Sequence, residues 1–272
     1  MERAHAEILK QIEEVRSKDL RAPRGVADRK RVVSLIKEIQ VILLPAYFNY
    51  NHMTVEEAFD SLVKGLDEQV GTALCFSGKT PMKAKELTEQ FLASLPEIMR
   101  QINTDIQAIY DGDPAAKTKS EVVICYPGFY AISIYRIAHV MYKLGIPYIP
   151  RIMTEYAHEK TGIDINPGAT IGDYFCIDHG TGIVIGETAV LGHHVKLYQG
   201  VTIGAKSFEK DENGNPVKGG KRHPDIGNHV VIYANATILG GDTYIGDNSV
   251  IGGNTWIIDS VPEGHKVYYV NK

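Results

Sequence analysis

The feature that most constrains this chain is an aliphatic side chain at every sixth position through most of its second half. A slip of two residues separates the first two series of the repeat, and a slip of one residue separates the last two. Six is the period of neither an α-helix nor a two-faced strand. The four series are Ile165, Ile171, Ile177 and Ile183; Ile185, Leu191, Leu197 and Ile203; Ile226, Ile232 and Ile238; and Leu239, Ile245, Ile251 and Ile257.

This period fits a parallel β-helix in which each of three flat sides takes one hexapeptide and each coil takes about 18 residues. The aliphatic side chain points inward and stacks on its counterpart in the next coil, while glycine and asparagine serve the corners. The repeat predicts the scaffold, but by itself it says little about function.

The first half of the chain has helical periodicity instead. Thr54, with Glu57 three residues later, forms the sequence pattern of a capping box and predicts the start of a helix. Pro96 predicts a kink or a boundary inside a long helical segment. We predict helices over residues 1–16, 32–50, from 54 onward, 81–110, 129–144 and 150–160.

Together these patterns predict an α+β protein with a helical N-terminal domain over residues 1–160 and a parallel β-helix over residues 161–260. Residues 261–272 are expected to form a C-terminal tail. The loop 206–223 interrupts the repeat and carries turn-forming residues without inward aliphatic side chains. A loop of this length in a repeat scaffold is often placed over a functional site.

The composition argues against several classes of protein. A net charge of −4 lacks the basic character of a nucleic-acid binder, and the absence of an apolar run of about 18 residues predicts no membrane span. The charged N-terminus does not resemble a signal peptide. Cys75, Cys125 and Cys176 show no metal-binding spacing, so we expect free thiols, no metal and a cytoplasmic location.

A cluster of polar residues lies within the first coils of the repeat: Asp164, Asp178 and His179. Acyl transfer to an alcohol needs a base, because an aliphatic hydroxyl is almost wholly protonated at neutral pH. Histidine titrates in the right range, and a carboxylate behind it fixes its tautomer. Asp164 and His179 are close enough in the repeat to meet on adjacent coils. The pair fits either a catalytic role or a structural hydrogen bond.

Several segments closely resemble serine acetyltransferases over about residues 100 to 258. They include TGIDINPGA from Thr161, IDHGTGIVIGET from Ile177, YQGVTIGA from Tyr198 and GKRHP from Gly220, together with DPA from Asp113. The resemblance implies a left-handed β-helix and transfer of the acetyl group of acetyl-CoA to L-serine, the first step of cysteine biosynthesis. It also implies feedback inhibition by cysteine and assembly into trimers or hexamers.

The same resemblance implies roles for individual residues. His179 matches the general base and Asp164 its orienting partner. Asp113 and Asp178 match positions that hold the substrate ammonium, and Arg222 and His223 match those around the substrate carboxylate. For acetyl-CoA, the matching positions are Gly204, Ala205 and Ala234, and Lys221 is our candidate among the loop lysines for the 3′-phosphate.

Two positions depart from the family pattern. Asn166 stands where a histidine is common, so we assign it no catalytic role. The sequence ends in Lys272, whereas many relatives end in an isoleucine that docks into O-acetylserine sulfhydrylase. We therefore expect no stable complex with that enzyme.

Three alternative readings stay open at the level of sequence. The acceptor could be another small molecule, such as homoserine or an amino sugar, although two acidic groups and an arginine favour a zwitterion. A metal-dependent β-helix lyase could use His179 with His193 or His194, although no third histidine occupies a matching position in the six-residue repeat. A non-enzymatic scaffold would leave the Asp164 and His179 pair without a purpose.

Overall fold

The computed structural model describes residues 2–16, 25–207 and 210–268, and it has the predicted helical half followed by a parallel β-helix. Burial of one apolar face stabilises the longer helices that follow the first, as with Leu35, Ile36 and Ile39 in the second. In the first helix, Ile8, Leu9 and Ile12 are exposed. The helices are α1 (Glu2–Val15), α2 (Arg29–Leu43), α3 (Val55–Phe76), α4 (Ala84–Gly112), α5 (Lys119–Cys125), α6 (Pro127–Lys143) and α7 (Ile149–Thr161), with a 3₁₀ turn over Pro81–Lys83.

The predicted capping box starts α3. The Thr54 hydroxyl accepts from Glu57 N at 3.2 Å, and the Glu57 carboxylate accepts from Thr54 N at 2.9 Å. Of the two outcomes predicted at Pro96, a boundary is wrong, because α4 continues through it, while a kink stays a prediction. Proline leaves one carbonyl of the preceding turn without its donor, but Leu95 and Ile98 on either side are buried and hold the helix in place.

The β-helix consists of three sheets of short parallel strands, as the six-residue period predicts. Sheet A has the order β1-β4-β7-β10-β13, sheet B the order β11-β8-β5-β2 and sheet C the order β14-β12-β9-β6-β3. The strands are β1 (Asp164–Ile165), β2 (Thr170–Ile171), β3 (Cys176–Ile177), β4 (Val184–Ile185), β5 (Val190–Leu191), β6 (Lys196–Leu197), β7 (Thr202–Gly204), β8 (Asp225–Ile226), β9 (Val231–Ile232), β10 (Thr237–Leu239), β11 (Tyr244–Ile245), β12 (Val250–Ile251), β13 (Trp256–Ile257) and β14 (Lys266–Val267).

Inward stacking of the aliphatic series builds the core of the β-helix. In sheet A, for example, Ile165 pairs with Ile185, and Ile185 pairs with Ile203. These side chains are at most 2% exposed. The fold is therefore a left-handed parallel β-helix of the predicted kind, preceded by helices.

The slips in the sequence repeat correspond to coils of unequal length. Asp164 pairs with Val184, twenty residues later, whereas Val184 pairs with Thr202, eighteen residues later. Thr237 pairs with Trp256, nineteen residues later. The additional residues are accommodated at corners, so the inward side chains keep their register.

The helical half is fastened to the first coil by buried polar contacts. Arg136 of α6 donates to Ile171 O at 2.5 Å and to Gly172 O at 2.6 Å. Tyr135 donates its hydroxyl proton to Ala169 O at 2.5 Å. Gly162 ends α7 in the left-handed conformation, with φ of 69°, and the chain enters β1 two residues later. These contacts hold the helices against the open end of the β-helix.

The described part of the C-terminal segment extends the β-helix. Within the predicted tail, Lys266–Val267 form β14 and pair with β12, while residues 269–272 lie outside the described residues. The division at residues 160 and 260 stays a prediction. Among the described residues, no helix has both the length and the apolar character needed to cross a membrane.

Candidate active site

The β-helix has three edges where the chain turns from one sheet to the next. We name them the C–A edge, the A–B edge and the B–C edge after the sheets that they join. The predicted site residues occupy the first two, and the B–C edge carries a stack of exposed rings: Tyr174, His194 and His229, with centroids 4.4 and 4.6 Å apart.

His179 lies on the C–A edge, in the corner that carries the two-residue slip of the repeat. Residues 178–183 join β3 to β4, two more than the residues 198–201 that join β6 to β7. His179 has φ of 58°, and its side chain is 69% exposed. Its Nε2 atom lies 3.7 Å from Asp178 Oδ1. The enlarged corner therefore presents an accessible imidazole beside a carboxylate.

Asp164 is the first residue of β1, and its backbone N–H donates to Ile183 O. Its carboxylate lies 3.9 Å from Arg151 Nη1. Within the described residues, neither a hydrogen bond nor an ion pair joins Asp164 to His179. The structure therefore places both residues near the same corner of the first coil, but it does not bring the predicted pair into contact.

The two carboxylates predicted to hold an ammonium group converge where α4 meets sheet C. Asp113 follows the last residue of α4 and accepts from the Tyr126 hydroxyl at 2.6 Å and from Ala115 N at 2.8 Å. The Tyr126 hydrogen bond is the main reason that the pKa of Asp113 is lowered. The same bond raises the pKa of Tyr126 to about 12, so Tyr126 stays a donor.

Lys196 lies between Asp178 and the end of α4, next to Asp113. Its Nζ atom is 3.2 Å from Asp178 Oδ2 and donates to Gly112 O at 2.7 Å, and it lies 4.5 Å from the centre of the Tyr198 ring. Burial disfavours its charged form, but the contacts with Tyr198 and Asp178 outweigh burial and its pKa is raised. Lys196 is thus an ammonium group inside the acidic cluster.

Arg222 and His223 lie on the A–B edge, where the loop 206–223 returns to the β-helix. The Arg222 guanidinium donates to Glu187 Oε2 at 2.5 Å, and Glu187 Oε1 accepts from the Tyr142 hydroxyl at 3.1 Å. The hydrogen bond from Arg222 is the first cause of the lowered pKa of Glu187.

His223 is 7% exposed and packs over Gly186. A side chain at position 186 would overlap its ring, because a built Cβ atom lies 2.0 Å from His223 Cδ2. His223 Nδ1 accepts from Thr188 N at 3.1 Å and lies 2.8 Å from Thr188 Oγ1. Burial, with the charges of Arg222 and Lys221, lowers the pKa of His223 to about 4. The ring is therefore neutral.

The residues predicted to bind acetyl-CoA are divided between the same two edges. Gly204 ends β7 and Ala205 follows it on the A–B edge, while Ala234 follows β9 on the C–A edge. Lys221 contacts Asp225 and donates to Thr188 O at 2.7 Å. It also lines a cavity of about 290 Å³ under the loop, together with Lys206 and Gly241.

One chain therefore carries the predicted site residues in two separate groups. The C–A edge holds Asp178, His179 and Ala234, with Asp113 beside it and Asp164 next to it in sheet A. The A–B edge holds Gly204, Ala205, Lys221, Arg222 and His223. Sheet A separates the two groups, so the predicted serine pocket is not completed within a single chain.

One group of potential metal ligands occurs among the described residues: Glu155, His158 and Asp164, whose ligand atoms lie within 4.8 Å of one another. The Arg151 guanidinium contacts both carboxylates and already supplies a positive charge there. The group does not include His179, His193 or His194. His193 Nδ1 instead accepts from Asp173 N at 3.0 Å on the B–C edge, away from His179.

Sequence reasoning gave no role to Lys196, Tyr126 or Glu187. The register could have pointed to Lys196, because it precedes the inward Leu197 and pairs with Cys176, two residues before Asp178. Glu187 lies within the segment IDHGTGIVIGET, which starts at Ile177 and carries part of the family resemblance. No local pattern indicated Tyr126, whose contact with Asp113 depends on how α5 and α6 pack. Asn166, given no role, accepts from Gly168 N at 3.0 Å and shapes a turn.

Comparison with known proteins identifies relatives over most of the chain. A family model described as the N-terminal part of serine acetyltransferase matches residues 45–133. A plasmid serine acetyltransferase of Synechococcus elongatus is 44% identical over 254 residues, which cover 87% of this chain and 79% of that protein.

Solved structures agree with these matches. Entamoeba histolytica serine acetyltransferase 1, in complex with L-cysteine, has a TM-score of 0.78 and 38% identity, covering 87% of this chain and 86% of that one. Neisseria gonorrhoeae serine acetyltransferase, in complex with serine, has a TM-score of 0.60 and 30% identity, covering 88% of this chain and 95% of that one.

Proposed function

This chain belongs to the serine acetyltransferase family, and we propose that it transfers the acetyl group of acetyl-CoA to the hydroxyl of L-serine with His179 as the general base. The products are O-acetylserine and CoA. The observation that carries the residue assignment is the exposed His179 imidazole in an enlarged corner beside the Asp178 carboxylate. An imidazole at such a corner is free to reach a bound hydroxyl group.

In this reaction, His179 takes the proton of the serine hydroxyl while the oxygen attacks the thioester carbonyl. The imidazolium then gives a proton to the departing thiolate, so no covalent enzyme intermediate is needed. We assign Asp164 the role of orienting the imidazole. Its 3.9 Å separation from Arg151 is too long for a hydrogen bond, which leaves its oxygens able to accept one from His179.

The serine ammonium fits the acidic cluster on the C–A edge, formed by Asp113 and Asp178. The serine carboxylate fits Arg222, whose planar guanidinium suits bidentate contact, with the neutral His223 supporting the same side. Because these groups lie on different edges, we propose that the C–A edge of one chain faces the A–B edge of another. A cyclic trimer supplies such a heterologous contact three times.

Exposed apolar side chains on sheet A support this assembly. Val184 is 39% exposed and Trp256 is 68% exposed on its outer face, and burying such side chains between chains is favourable. The helical half would then join trimers into hexamers. Acetyl-CoA would lie in the groove between chains, with Gly204 and Ala205 from one side and Ala234 from the other, and Lys221 near the 3′-phosphate.

Cysteine, which resembles serine in size and charge, would compete for the same pocket and act as a feedback inhibitor. The Entamoeba relative was solved with L-cysteine bound. We also propose that the enzyme works without a metal and in the cytoplasm. The three unpaired cysteines suit a reducing compartment.

A CoA-thiol release assay tests the activity and the acceptor together. We expect serine to be preferred over homoserine, threonine and glucosamine, and cysteine to inhibit. A serine rate no better than the other rates would contradict the assignment. Replacing His179 with asparagine, which tolerates a positive φ, should lower kcat by about 10²-fold to 10⁴-fold. His194→Asn, at φ of 57° on the B–C edge, is the matched control.

Complementation tests whether the site is shared between chains. His179→Asn damages only the C–A edge, and Arg222→Met damages only the A–B edge. Co-expressed in equal amounts, the two variants should assemble at random, and about a quarter of all sites should then carry both intact halves. Recovery of roughly that fraction of activity supports a shared site. No recovery in mixed assemblies would place the whole site within one chain.

A further inference from the structure

Lys196 occupies a unique place in the outward-facing ladder of sheet C. The ladder runs Cys176, Lys196, Val231, Val250 and Lys266 in register. The Lys196 side chain is 16% exposed and reaches away from sheet C toward the helices. Lys266, at the other end of the same ladder, is exposed. The register of the β-helix therefore fixes the position of Lys196, but its ammonium group makes its contacts at the junction with α4.

At that junction, the Lys196 ammonium binds the end of a helix. It donates at 2.7 Å to the carbonyl of Gly112, the last residue of α4. The last carbonyls of a helix lack intrahelical donors and carry partial negative charge. A built Cβ atom at Gly112 would lie 3.1 Å from Cys176 Sγ and 3.7 Å from Lys196 Nζ. Glycine thus permits the close approach of α4 to the lysine.

The same ammonium fixes the two carboxylates of the acidic cluster relative to each other. It lies 3.2 Å from Asp178 Oδ2 on the β-helix, while its bond to Gly112 holds the residue immediately before Asp113. The two aspartates belong to different halves of the molecule, and this link is the contact nearest to both of them that joins the two halves. Two carboxylates and one lysine also leave a net charge of about −1, which matches a single substrate ammonium.

We propose that Lys196 is a positioning residue that sets the spacing and the charge of Asp113 and Asp178 for an acceptor with one ammonium group. The inference rests on the proposed serine pocket and adds a residue to it. Without Lys196, the two carboxylates repel each other and one of them takes up a proton at a higher pH than in the wild type. The binding of serine and the binding of cysteine should then weaken together, because both use the same two carboxylates.

Other titratable groups face the same cluster and share in its pH dependence. Tyr126 and Glu121 approach from the helical side, and His179 and Cys176 approach from the β-helix. Burial raises the pKa of the Cys176 thiol to about 12, so it stays neutral. The effect of Lys196 is therefore measured as a ratio to the wild type, so that the pH dependence common to both proteins is divided out.

The test compares Lys196→Met, which removes the charge, with Lys196→Arg, which keeps it, and with Lys266→Met as the matched control. For Lys196→Met, we expect the serine KM and the cysteine inhibition constant both to rise about tenfold, or about 1.4 kcal/mol. The acetyl-CoA KM and kcat at saturating serine should change less than about threefold. The ratio of variant to wild-type kcat/KM for serine should fall further as the pH is lowered from about 8 to about 5.5.

Lys196→Arg should keep this ratio close to 1 across the pH range, and Lys266→Met should match the wild type throughout. Unchanged serine and cysteine constants in Lys196→Met would overturn the proposal. So would an arginine variant that behaves like the methionine variant, or a general loss in which the acetyl-CoA KM and the melting temperature change with the serine KM.

Asp113→Asn and Asp178→Asn separate this proposal from the function on which it rests. If they leave the serine KM unchanged, the serine pocket itself is wrong. If they raise it while Lys196→Met does not, only the role of Lys196 fails.

Discussion

Arg136 and Asp105 form a two-point ion pair inside the molecule, with Nε to Oδ2 at 2.9 Å and Nη2 to Oδ1 at 3.0 Å. Their side chains are 2% and 0% exposed. Asp105 Oδ1 also accepts from Phe175 N at 3.0 Å. Since Arg136 donates to the carbonyls of Ile171 and Gly172 as well, this pair joins α4, α6 and the first coil.

Removing one partner of this pair should be strongly destabilising. We expect Arg136→Met to lower the free energy of unfolding by about 3–5 kcal/mol, because it leaves the Asp105 carboxylate buried without its counter-charge. The double variant Arg136→Met/Asp105→Leu should recover part of that loss. Denaturant unfolding at fixed protein concentration measures both. The exposed Arg29–Glu159 pair is the control, and Arg29→Ala should cost about 1 kcal/mol or less. Equal losses for Arg136→Met and Arg29→Ala would contradict the argument.

Tyr126→Phe tests how Asp113 is kept ionised. The tyrosine hydroxyl lowers the pKa of Asp113, so its removal should raise that pKa and protonate the carboxyl at a higher pH. Near pH 8 the serine KM should be close to that of the wild type. At about pH 4, where an ordinary aspartate is about half protonated, the variant should have kcat/KM for serine about twofold below the wild-type value. Tyr47→Phe, which removes an exposed bond to Ser120, is the control. A ratio independent of pH would argue against a role in ionisation.

Glu187→Gln tests whether Arg222 must be held before the substrate binds. Glu187 and Tyr142 fix the guanidinium in the free enzyme. Without the carboxylate, the long arginine side chain has to be ordered when the substrate binds. We expect about a fivefold rise in the KM for serine, the size associated with immobilising one such side chain. Cysteine inhibition should weaken equally. Glu212→Gln, an exposed change in the same loop, is the control and should alter neither constant. If Glu187→Gln also leaves the serine KM and the cysteine inhibition constant unchanged, Arg222 needs no such support.

His223 should make the protein less stable in mild acid. Its pKa is about 4 in the folded state, lowered mainly by burial, against about 6.5 in an unfolded chain. Between these values, the unfolded chain binds a proton that the folded one does not, so stability is full above about pH 6.5 and falls as the pH drops toward 4. His223→Gln should lose less stability than the wild type between about pH 7 and pH 5, whereas the exposed His265→Gln should follow the wild type. Thermal unfolding measures the difference, and equal losses in all three proteins would exclude His223 as the source.

Local sequence rules were sufficient for most of the scaffold. Inward residues such as Ile165 and Ile185 recur at a fixed spacing because every coil repeats the same geometry, so the sheets could be predicted without knowing any contact. The capping box at Thr54 is a local hydrogen-bond pattern and was predicted for the same reason. A helix boundary at Pro96, one of the two outcomes predicted there, did not occur, because burial on both sides of it is a tertiary effect that outweighs a local cost. The short helix α5 was missed, since seven residues give too little periodicity.

What the sequence by itself determined is the β-helix, the position of its enlarged corner and the chemical types present there: an imidazole at His179 and carboxylates nearby. Only the tertiary structure decided which of them meet. It placed Lys196 between Asp178 and the end of α4, paired Arg222 with Glu187, and separated the predicted site onto two edges. The physical reason is that a repeat fixes which residues face outward, whereas contacts between outward side chains depend on the packing of distant elements and on how neighbouring edges are presented.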